Sequence, residues 1–282
     1  MPTTAASASV VPVVAPLSPV APVALVTGAT AGLGAVFARE LARWGHDLVL
    51  VARDAERLRA QGAALERDFG IAVETLPADL ATDEGAQGVA ARLGGERPVD
   101  VLVNNAGFGS KGALATADPA GQDRMLRLHV LAVNTLTRAA LPGMVERRRG
   151  VVITVSSVAS YLTSAGNVNY CATKGYQRMA MEALARELEG SGVYVQALCP
   201  GFTRTEFHQR AALSMGHVPA ALWLTADRVV AESLAAMRRG SPTVVVPDWK
   251  YRAIVALLRH APASLLRRAQ RMHRRDERIG EG

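Results

Sequence analysis

The chain of 282 residues has few cysteines, no clustered metal ligands and no long apolar run. Its two cysteines, Cys171 and Cys199, lie in apolar or motif surroundings, and we interpret them as reduced core thiols. No Cys/His group has the spacing of a metal site, so no metal is predicted. No uninterrupted stretch of about 18 apolar residues occurs, which excludes a spanning helix. These absences favour a cytoplasmic globular protein without metal or disulfides.

The first 22 residues contain no charged side chain and five prolines. A secretory signal would begin with a basic region, and proline interrupts a helix. The composition therefore predicts a disordered leader over residues 1–22 rather than a signal peptide.

Glycines are abundant where the first apolar segment ends. Val23–Val26 enters the run TGATAGLG, and an amphipathic helix follows it. Three glycines, Gly28, Gly32 and Gly34, permit a tight turn and a close approach of the backbone to a ligand. A strand, a glycine turn and a helix in this order are typical of a site that holds a dinucleotide pyrophosphate at the helix N-terminus.

Short apolar segments rich in Val, Ile and Leu recur between helical patterns through the middle of the chain. They predict buried parallel strands over Leu48–Ala52, Val73–Pro77, Val99–Asn104, Val151–Ser156, Val193–Leu198 and Thr243–Val246. With the first segment they indicate a doubly wound α/β fold of the Rossmann type, with a roughly seven-stranded parallel sheet over residues 23–248. A ligand is then expected at the carboxyl ends of the strands.

The run YCATK carries the strongest chemical signal. Tyr170 and Lys174 lie four residues apart, so on a helix they share one face, and Ser157 lies thirteen residues upstream. A fixed cation beside a phenol lowers its pKa, which makes the phenol useful as an acid and base near neutral pH. A serine at a neighbouring strand end can polarise a carbonyl oxygen at the same point.

Together these runs resemble the short-chain dehydrogenase/reductase family from about Val23 to Pro247. The motifs occur in the family's order: TGATAGLG, Asp79-Leu80, NNAG at Asn104–Gly107, Ser157, YCATK and PGFTRT from Pro200. The resemblance implies that Tyr170 is the acid/base, that Lys174 lowers its pKa and holds the nicotinamide ribose, and that Ser157 orients the carbonyl. It places these residues at the cofactor: Gly28, Thr30, Ala31, Gly32, Leu33, Gly34, Arg53, Asp79, Leu80, Asn105, Ala106, Gly107, Tyr170, Lys174, Pro200, Gly201, Thr203 and Thr205.

One position departs from the family. Thirteen residues before Pro142, where the family carries an asparagine that holds a water of the proton relay, this chain has His129. Histidine can also hydrogen-bond a water, so we predict that His129 occupies the relay position as a further catalytic residue. The alternative is a histidine that only fills space below the cofactor.

The end of the second strand indicates the cofactor. An NAD site places an acidic residue there to bind the ribose hydroxyls, whereas this chain has Ala52 followed by Arg53. An arginine suits the adenosine 2′-phosphate, so NADP(H) is predicted. The family's other basic position holds Ala31, and the alternative is a surface arginine without a phosphate contact.

The segment of residues 206–224 corresponds to the family's substrate lid. Its apolar side chains suggest an apolar or lipid-like carbonyl substrate, although the same side chains can instead pack within the lid itself. The apolar residues are Phe207, Leu213, Met215, Val218, Leu222 and Trp223, with Phe202 just before them.

Most of the net charge lies at the C-terminus. Residues 249–282 contain nine Lys/Arg and three Asp/Glu, a net of +6 within a total of +7. Leucines interleaved with arginines predict a basic amphipathic extension that can lie on an anionic membrane surface. A packing extension with solvated arginines is the alternative, and no nucleic-acid-binding fold accompanies the charge.

The combined prediction is an NADP(H)-dependent enzyme that moves a hydride between nicotinamide and a carbonyl or secondary alcohol. The resemblance also implies a homodimer or homotetramer, formed through the helix of Tyr170 and the long helix before it. Two alternatives remain: an NADP(H)-binding sensor or scaffold without catalysis, and the same fold used for epimerisation or dehydration.

Overall fold

A computed structural model describes residues 21–109, 112–206 and 218–260. Three predicted segments therefore lie wholly or partly outside the described residues: the leader up to residue 20, lid residues 207–217, and the extension from residue 261.

Seven parallel strands form the central sheet, which confirms the predicted fold class. Their order across the sheet is β3-β2-β1-β4-β5-β6-β9, while the short β7 and β8 pair separately. The strands are β1 (Val23–Thr27), β2 (Asp47–Ala52), β3 (Val73–Pro77), β4 (Val101–Asn104), β5 (Gly150–Val155), β6 (Val193–Leu198), β7 (Thr203–Arg204), β8 (Leu224–Thr225) and β9 (Val244–Val245).

The strands are apolar because helices cover both faces of the sheet. Every residue of β1, β4 and β5 is buried, whereas β3, at the sheet edge, is only partly covered. Several observed bounds differ from the prediction by one or two residues. β2 begins at Asp47 rather than Leu48, β4 begins at Val101 rather than Val99, β5 is Gly150–Val155 rather than Val151–Ser156, and β9 keeps only two of four predicted residues. Sheet pairing, rather than apolar content, decides where a strand ends.

Eight α-helices are described, and they divide the core between the two faces of the sheet. α1, α2 and α7 contribute to one apolar cluster, together with Tyr251 of α8, while α3, α5 and α6 contribute to the other. The helices are α1 (Gly32–Arg43), α2 (Ala55–Phe69), α3 (Asp83–Leu93), α4 (Pro119–Leu126), α5 (Val133–Glu146), α6 (Val168–Glu187), α7 (Ala226–Arg239) and α8 (Trp249–His260).

A π-helical segment, Arg127–Ala132, joins α4 to α5 in one continuous helix. π-turns are rare and often lie at functional sites, because their wider winding displaces the backbone from α-helical positions. His129 lies in the middle of this segment and is fully buried.

The predicted C-terminal extension begins as part of the folded domain. In α8, Tyr251 and Val255 are buried in the core, whereas Trp249 and Leu257 are exposed. The predicted domain boundary at residue 248 would therefore divide Tyr251 from the core into which it packs. Among the described residues, no helix is long and apolar enough to cross a membrane.

Candidate active site

The motifs predicted from the sequence meet at the carboxyl edge of the sheet. The strand order reverses between β1 and β4, and the glycine turn follows β1 while NNAG follows β4. Ser157 lies two residues beyond β5, and Pro200 lies two residues beyond β6. A switch point of this kind opens a crevice for a ligand in an open α/β sheet.

The glycine turn is tied to the NNAG segment by a small hydrogen-bond network. The Thr27 hydroxyl donates to Val103 O and accepts from the N–H groups of Asn105 and Ala106. The Asn105 amide donates to Thr27 O at 2.8 Å. A Cβ on Gly34 would lie 2.2 Å from Gly28 O, so the close approach of turn and helix requires glycine there. The network fixes the turn in place.

The N-terminus of α1 fits a phosphate group. Its N-cap residue Ala31 makes no side-chain hydrogen bond, and its first turn has no acidic residue. By contrast, Asp54, Thr82 and Asp118 cap α2, α3 and α4 with their side chains. The first N–H groups of α1 are therefore not occupied by a cap, and helix dipole and N–H donors together favour an anion there.

Arg53 follows β2 at the same edge and is exposed. Its guanidinium makes no hydrogen bond or ion pair with another described residue, so it is free to contact an anion. Asp79 accepts from the Ala81 N–H and pairs with Arg124 at 2.8 Å. Burial raises the pKa of Asp79, but these two contacts outweigh it and lower the pKa overall. Leu80 beside it is buried.

The Ser157 hydroxyl lies close enough to Tyr170 to act on the pKa of its phenol. Ser157 begins a 3₁₀ turn, Val158–Tyr161, and its hydroxyl also accepts from the Ala159 N–H at 3.1 Å. Burial raises the pKa of Tyr170 to about 12, although the nearby Ser157 hydroxyl acts in the opposite direction. Burial dominates the pKa of Tyr170 among the described residues, and a lowering by Lys174 stays a prediction.

Lys174 lies one helical turn beyond Tyr170 on α6 and is buried. Its ammonium nitrogen lies 5.9 Å from the centre of the Tyr170 ring and donates to Val155 O at 2.8 Å and to Gln177 Oε1 at 3.0 Å. Burial lowers the pKa of Lys174 to about 7. The hydrogen bonds direct the ammonium towards the end of β5 and towards Gln177 on α6.

The His129 ring is bonded at both nitrogens by protein groups. Nε2 accepts from the Phe108 N–H at 3.2 Å, and Nδ1 lies 3.0 Å from the Thr173 hydroxyl, which itself donates to Tyr170 O. The proton therefore resides on Nδ1. Burial, with a contribution from Lys174, holds the pKa of His129 well below its ordinary value. Its ring lies edge-on to Tyr170, 6.2 Å between centres.

The last predicted cofactor segment, Pro200 to Thr205, is held by α8. Tyr251 packs on Gly201, where a Cβ would overlap its ring, and its hydroxyl accepts from the Phe202 N–H and donates to Leu222 O. Thr203 donates to Gly201 O at 3.0 Å. Thr205 lies against Gly32, since a Cβ added there would be 3.2 Å from the threonine. This segment therefore borders the glycine turn.

The structure brings the predicted Ser157, Tyr170 and Lys174 together, and it adds two residues that sequence reasoning missed. Gln177 contacts Lys174, and Tyr251 supports the Pro200–Thr205 segment. A polar residue at an otherwise buried helical position was the available signal for Gln177. The remaining predicted residues, Thr30, Ala31 and Leu33, are half-buried at the turn, and Gly107 lies against His129.

Comparison with known proteins gives consistent results. The chain is 35% identical to a short-chain dehydrogenase from Sphingobium yanoikuyae solved with NADPH, with a TM-score of 0.79 over 87% of this chain and 95% of that chain. A bulky-bulky ketone specific alcohol dehydrogenase from Comamonas testosteroni is 28% identical, with a TM-score of 0.73 over 86% and 95% of the two chains. Gluconate 5-dehydrogenase of Gluconobacter oxydans is 31% identical over 78% of this chain and 89% of its own length.

The sequence model of the short chain dehydrogenases matches residues 22–215, a range that holds the glycine turn, NNAG, Ser157 and YCATK. The fold, the strand order and the position of these motifs agree with that match. The chain therefore belongs to the short-chain dehydrogenase family.

Proposed function

We propose that this chain is an NADP(H)-dependent oxidoreductase that interconverts a carbonyl group and a secondary alcohol. The observation that carries the proposal is the grouping of Ser157, Tyr170 and the buried Lys174 ammonium at the switch point of the sheet. A glycine turn and a helix N-terminus without a side-chain cap lie at the same edge and suit a dinucleotide.

The three side chains have distinct roles in this reaction. A bound nicotinamide cofactor supplies or takes up the hydride. Tyr170 exchanges the proton with the substrate oxygen, and Ser157 donates a hydrogen bond that orients this oxygen. Because burial raises the pKa of Tyr170 to about 12, the phenol is protonated at neutral pH and ready to donate, as reduction of a carbonyl requires. Lys174 supplies a positive charge within 6 Å of the ring.

NADP(H) is preferred over NAD(H) in this proposal because of Arg53. Its exposed guanidinium follows β2, where a 2′-phosphate on the adenosine ribose would lie, and no acidic residue occupies the strand end. The Sphingobium relative, with NADPH in its structure, supports the same choice.

An apolar carbonyl substrate is favoured by the aromatic side chains at the ends of the predicted lid. The small cavity beside Tyr170 has a mixed lining, with the apolar Leu114 and Val168 next to the polar Gln122, Asn167 and Asn169. Phe202 and Trp223, at the two ends of the predicted lid, pack with ring centres 5.9 Å apart. The ketone-specific Comamonas relative is consistent with a bulky apolar substrate, whereas the gluconate enzyme shows that the family also accepts polar ones.

The first test is NADPH oxidation by the purified chain against ketones, aldehydes and long-chain 3-oxoacyl thioesters. Tyr170→Phe should abolish turnover while NADPH binding remains. The matched control is Tyr194→Phe, because this buried tyrosine also loses hydroxyl hydrogen bonds, to Pro242 O and Gln196, but lies away from the site. NADPH binding without turnover by the wild type on any substrate class would instead support the sensor or scaffold.

Self-association through α5 and α6 is a second proposal. On α6, four exposed residues form one apolar stripe at helical spacing: Ala172, Tyr176, Met179 and Ala183. Two further exposed apolar residues are Leu131, just before α5, and Val145, near the end of α5. An exposed apolar stripe of this length is typical of a subunit interface.

Association with an anionic membrane surface is proposed for the C-terminal part. Trp249 and Leu257 are 67% and 69% exposed on α8, and residues 261–282 add six arginines and three acidic residues. Co-sedimentation with phosphatidylserine vesicles should fall for a chain ending at residue 260 and for Trp249→Ser/Leu257→Ser. That truncation keeps Tyr251 in the core. Equal binding of all forms, or equal binding to phosphatidylcholine vesicles, would contradict the proposal.

A further inference from the structure

Gln177 is a buried amide that links Lys174 on α6 to the π-helical segment. It is 1% exposed and lies three residues beyond Lys174 on α6. Its Oε1 accepts from the Lys174 ammonium at 3.0 Å, and its Nε2 donates to the main-chain oxygen of His129 at 2.9 Å. The orientation of the amide is fixed by its partners, since an ammonium only donates and a carbonyl only accepts.

The position of the bridge depends on the π-helical segment. His129 lies in the segment Arg127–Ala132, and its carbonyl reaches across to α6. The His129 ring points elsewhere, because both of its nitrogens are bonded to Phe108 and Thr173. Residue 129 is therefore linked to Lys174 through its backbone and Gln177, while its ring supports the Phe108 loop and α6.

We propose that Gln177 is a positioning residue that holds the Lys174 ammonium in place and in its charged form by linking it to the His129 carbonyl. The proposal rests on the proposed function for its catalytic meaning, but the link itself does not. With Val155 O and Gln177 Oε1 as acceptors, one of the three ammonium protons has no acceptor among the described residues and can serve a ligand.

The charged form of Lys174 needs such acceptors because it is buried. The titratable groups around it are Tyr170 on its own helix, His129 on the π-helical segment and Cys199 beyond β6. None of these three is a permanent anion, and burial lowers the pKa of Lys174 to about 7. An uncharged but strongly oriented amide dipole therefore supports the ammonium where no carboxylate does.

The lysine content of the chain permits a direct test. Lys111, Lys174 and Lys250 are its three lysines, so ¹³C-lysine-labelled protein gives few side-chain signals, and Lys174→Arg assigns the relevant one. The wild-type Lys174 signal, followed by NMR in cofactor-free protein, should titrate near neutral pH. Gln177→Met, of similar size but without an acceptor, should lower the midpoint by about one pH unit, as loss of a hydrogen bond to a charged group implies.

Gln177→Glu provides a change of opposite sign. A carboxylate at this position favours the ammonium, so the Lys174 midpoint should rise above the wild-type value. The matched control is Gln196→Met, since Gln196 is also a buried amide, bonded to Tyr194 and Ser233, but lies away from Lys174. It should leave the Lys174 midpoint unchanged.

Kinetics then connect the link to catalysis. The pH at which kcat falls on the alkaline side should move down in Gln177→Met and up in Gln177→Glu, with little change in the KM of the carbonyl substrate. An unchanged Lys174 titration in both variants would overturn the proposal and leave Gln177 as a packing residue. Shifted titration without any turnover in the wild type would retain the link and reject the proposed function instead.

Discussion

The burial of a neutral His129 has a consequence for stability. Burial and Lys174 hold its pKa in the folded chain well below the value of about 6.5 expected when unfolded. Below that pH the unfolded chain binds a proton that the folded chain refuses. The free energy of unfolding should therefore fall as the pH drops through about 6.5, by up to about 1.4 kcal/mol per pH unit.

Urea unfolding of wild type and His129→Gln at about pH 8 and about pH 5 measures this contribution. The variant should be less stable at the higher pH, because the Phe108 N–H and the Thr173 hydroxyl lose their partner. On acidification, the free energy of unfolding of the variant should fall by less than that of the wild type. His260→Gln, at the exposed end of α8, is the control, and an identical pH dependence in wild type and His129→Gln would contradict a lowered pKa for His129.

The proposed preference for NADP(H) depends on one side chain, that of Arg53. Arg53→Asp replaces the predicted phosphate ligand with an acid that suits ribose hydroxyls, so NADPH affinity should fall about tenfold or more and NADH affinity should rise. Isothermal titration with both cofactors measures this change. Arg59→Asp makes the same charge change at an exposed position of α2 and should leave the ratio of NADPH to NADH affinity unchanged. An unaltered ratio in Arg53→Asp would show a surface arginine without a phosphate contact.

Residues whose chemistry depends on local spacing could be predicted from the sequence. Tyr170 and Lys174 meet because one helix carries both, and Ser157 meets them because it follows a central strand. Gln177 could not be predicted in its role, because its partner is a backbone carbonyl on another helix. Sequence patterns describe side chains, and they do not show which main-chain oxygen a fold presents.

At the scale of elements, the base of the predicted lid is held by three connections. Leu224 N donates to Phe202 O, Thr203 and Leu224 pair in the β7–β8 ladder, and Tyr251 of α8 links Phe202 to Leu222. Phe202 and Leu222 lie near the two ends of the lid. The hydroxyl of Tyr251 therefore fixes the distance between these ends from outside the lid itself.

Tyr251→Phe should loosen this base. Loss of two hydrogen bonds costs about 1–3 kcal/mol in the free energy of unfolding, and the KM of the carbonyl substrate should rise while NADPH affinity changes little. Tyr194→Phe loses two comparable bonds, to Pro242 O and from Gln196, so it should show the same destabilisation without the KM change. Equal kinetic effects in the two variants would contradict a specific role for Tyr251.

The elements also show what periodicity can and cannot predict. The first strand, the glycine turn and α1 follow directly from the apolar pattern, since burial on both sides leaves few alternatives. The π-helical segment does not, because the apolar pattern shows which face is buried and not which backbone carbonyl accepts each N–H. Charge composition set the predicted boundary at residue 248, whereas Tyr251 shows that packing continues beyond it.

At the scale of the whole molecule, one group of exposed apolar residues lies on the helices that carry the candidate site. Met179 and Leu131 are 62% and 53% exposed, and both lie on the helices that cover the second apolar cluster. Both helices also carry site residues: α6 holds Tyr170 and Lys174, and the π-helical segment holds His129 and Leu131. Contact between two copies through these helices would therefore also constrain the position of the catalytic side chains.

Met179→Asp should consequently disrupt both assembly and activity. A buried, unpaired carboxylate at the centre of the stripe is costly, so sedimentation velocity should show a smaller species than the wild type at the same concentration. Leu257→Asp places the same charge on the exposed face of α8, away from this stripe, and should leave the assembly unchanged. If the oligomer contributes to the order of α6, kcat of Met179→Asp should recover at high protein concentration, where mass action restores the contact. A monomeric wild type, or a variant with unchanged sedimentation, would contradict the interface and leave the stripe as an ordinary exposed helix face.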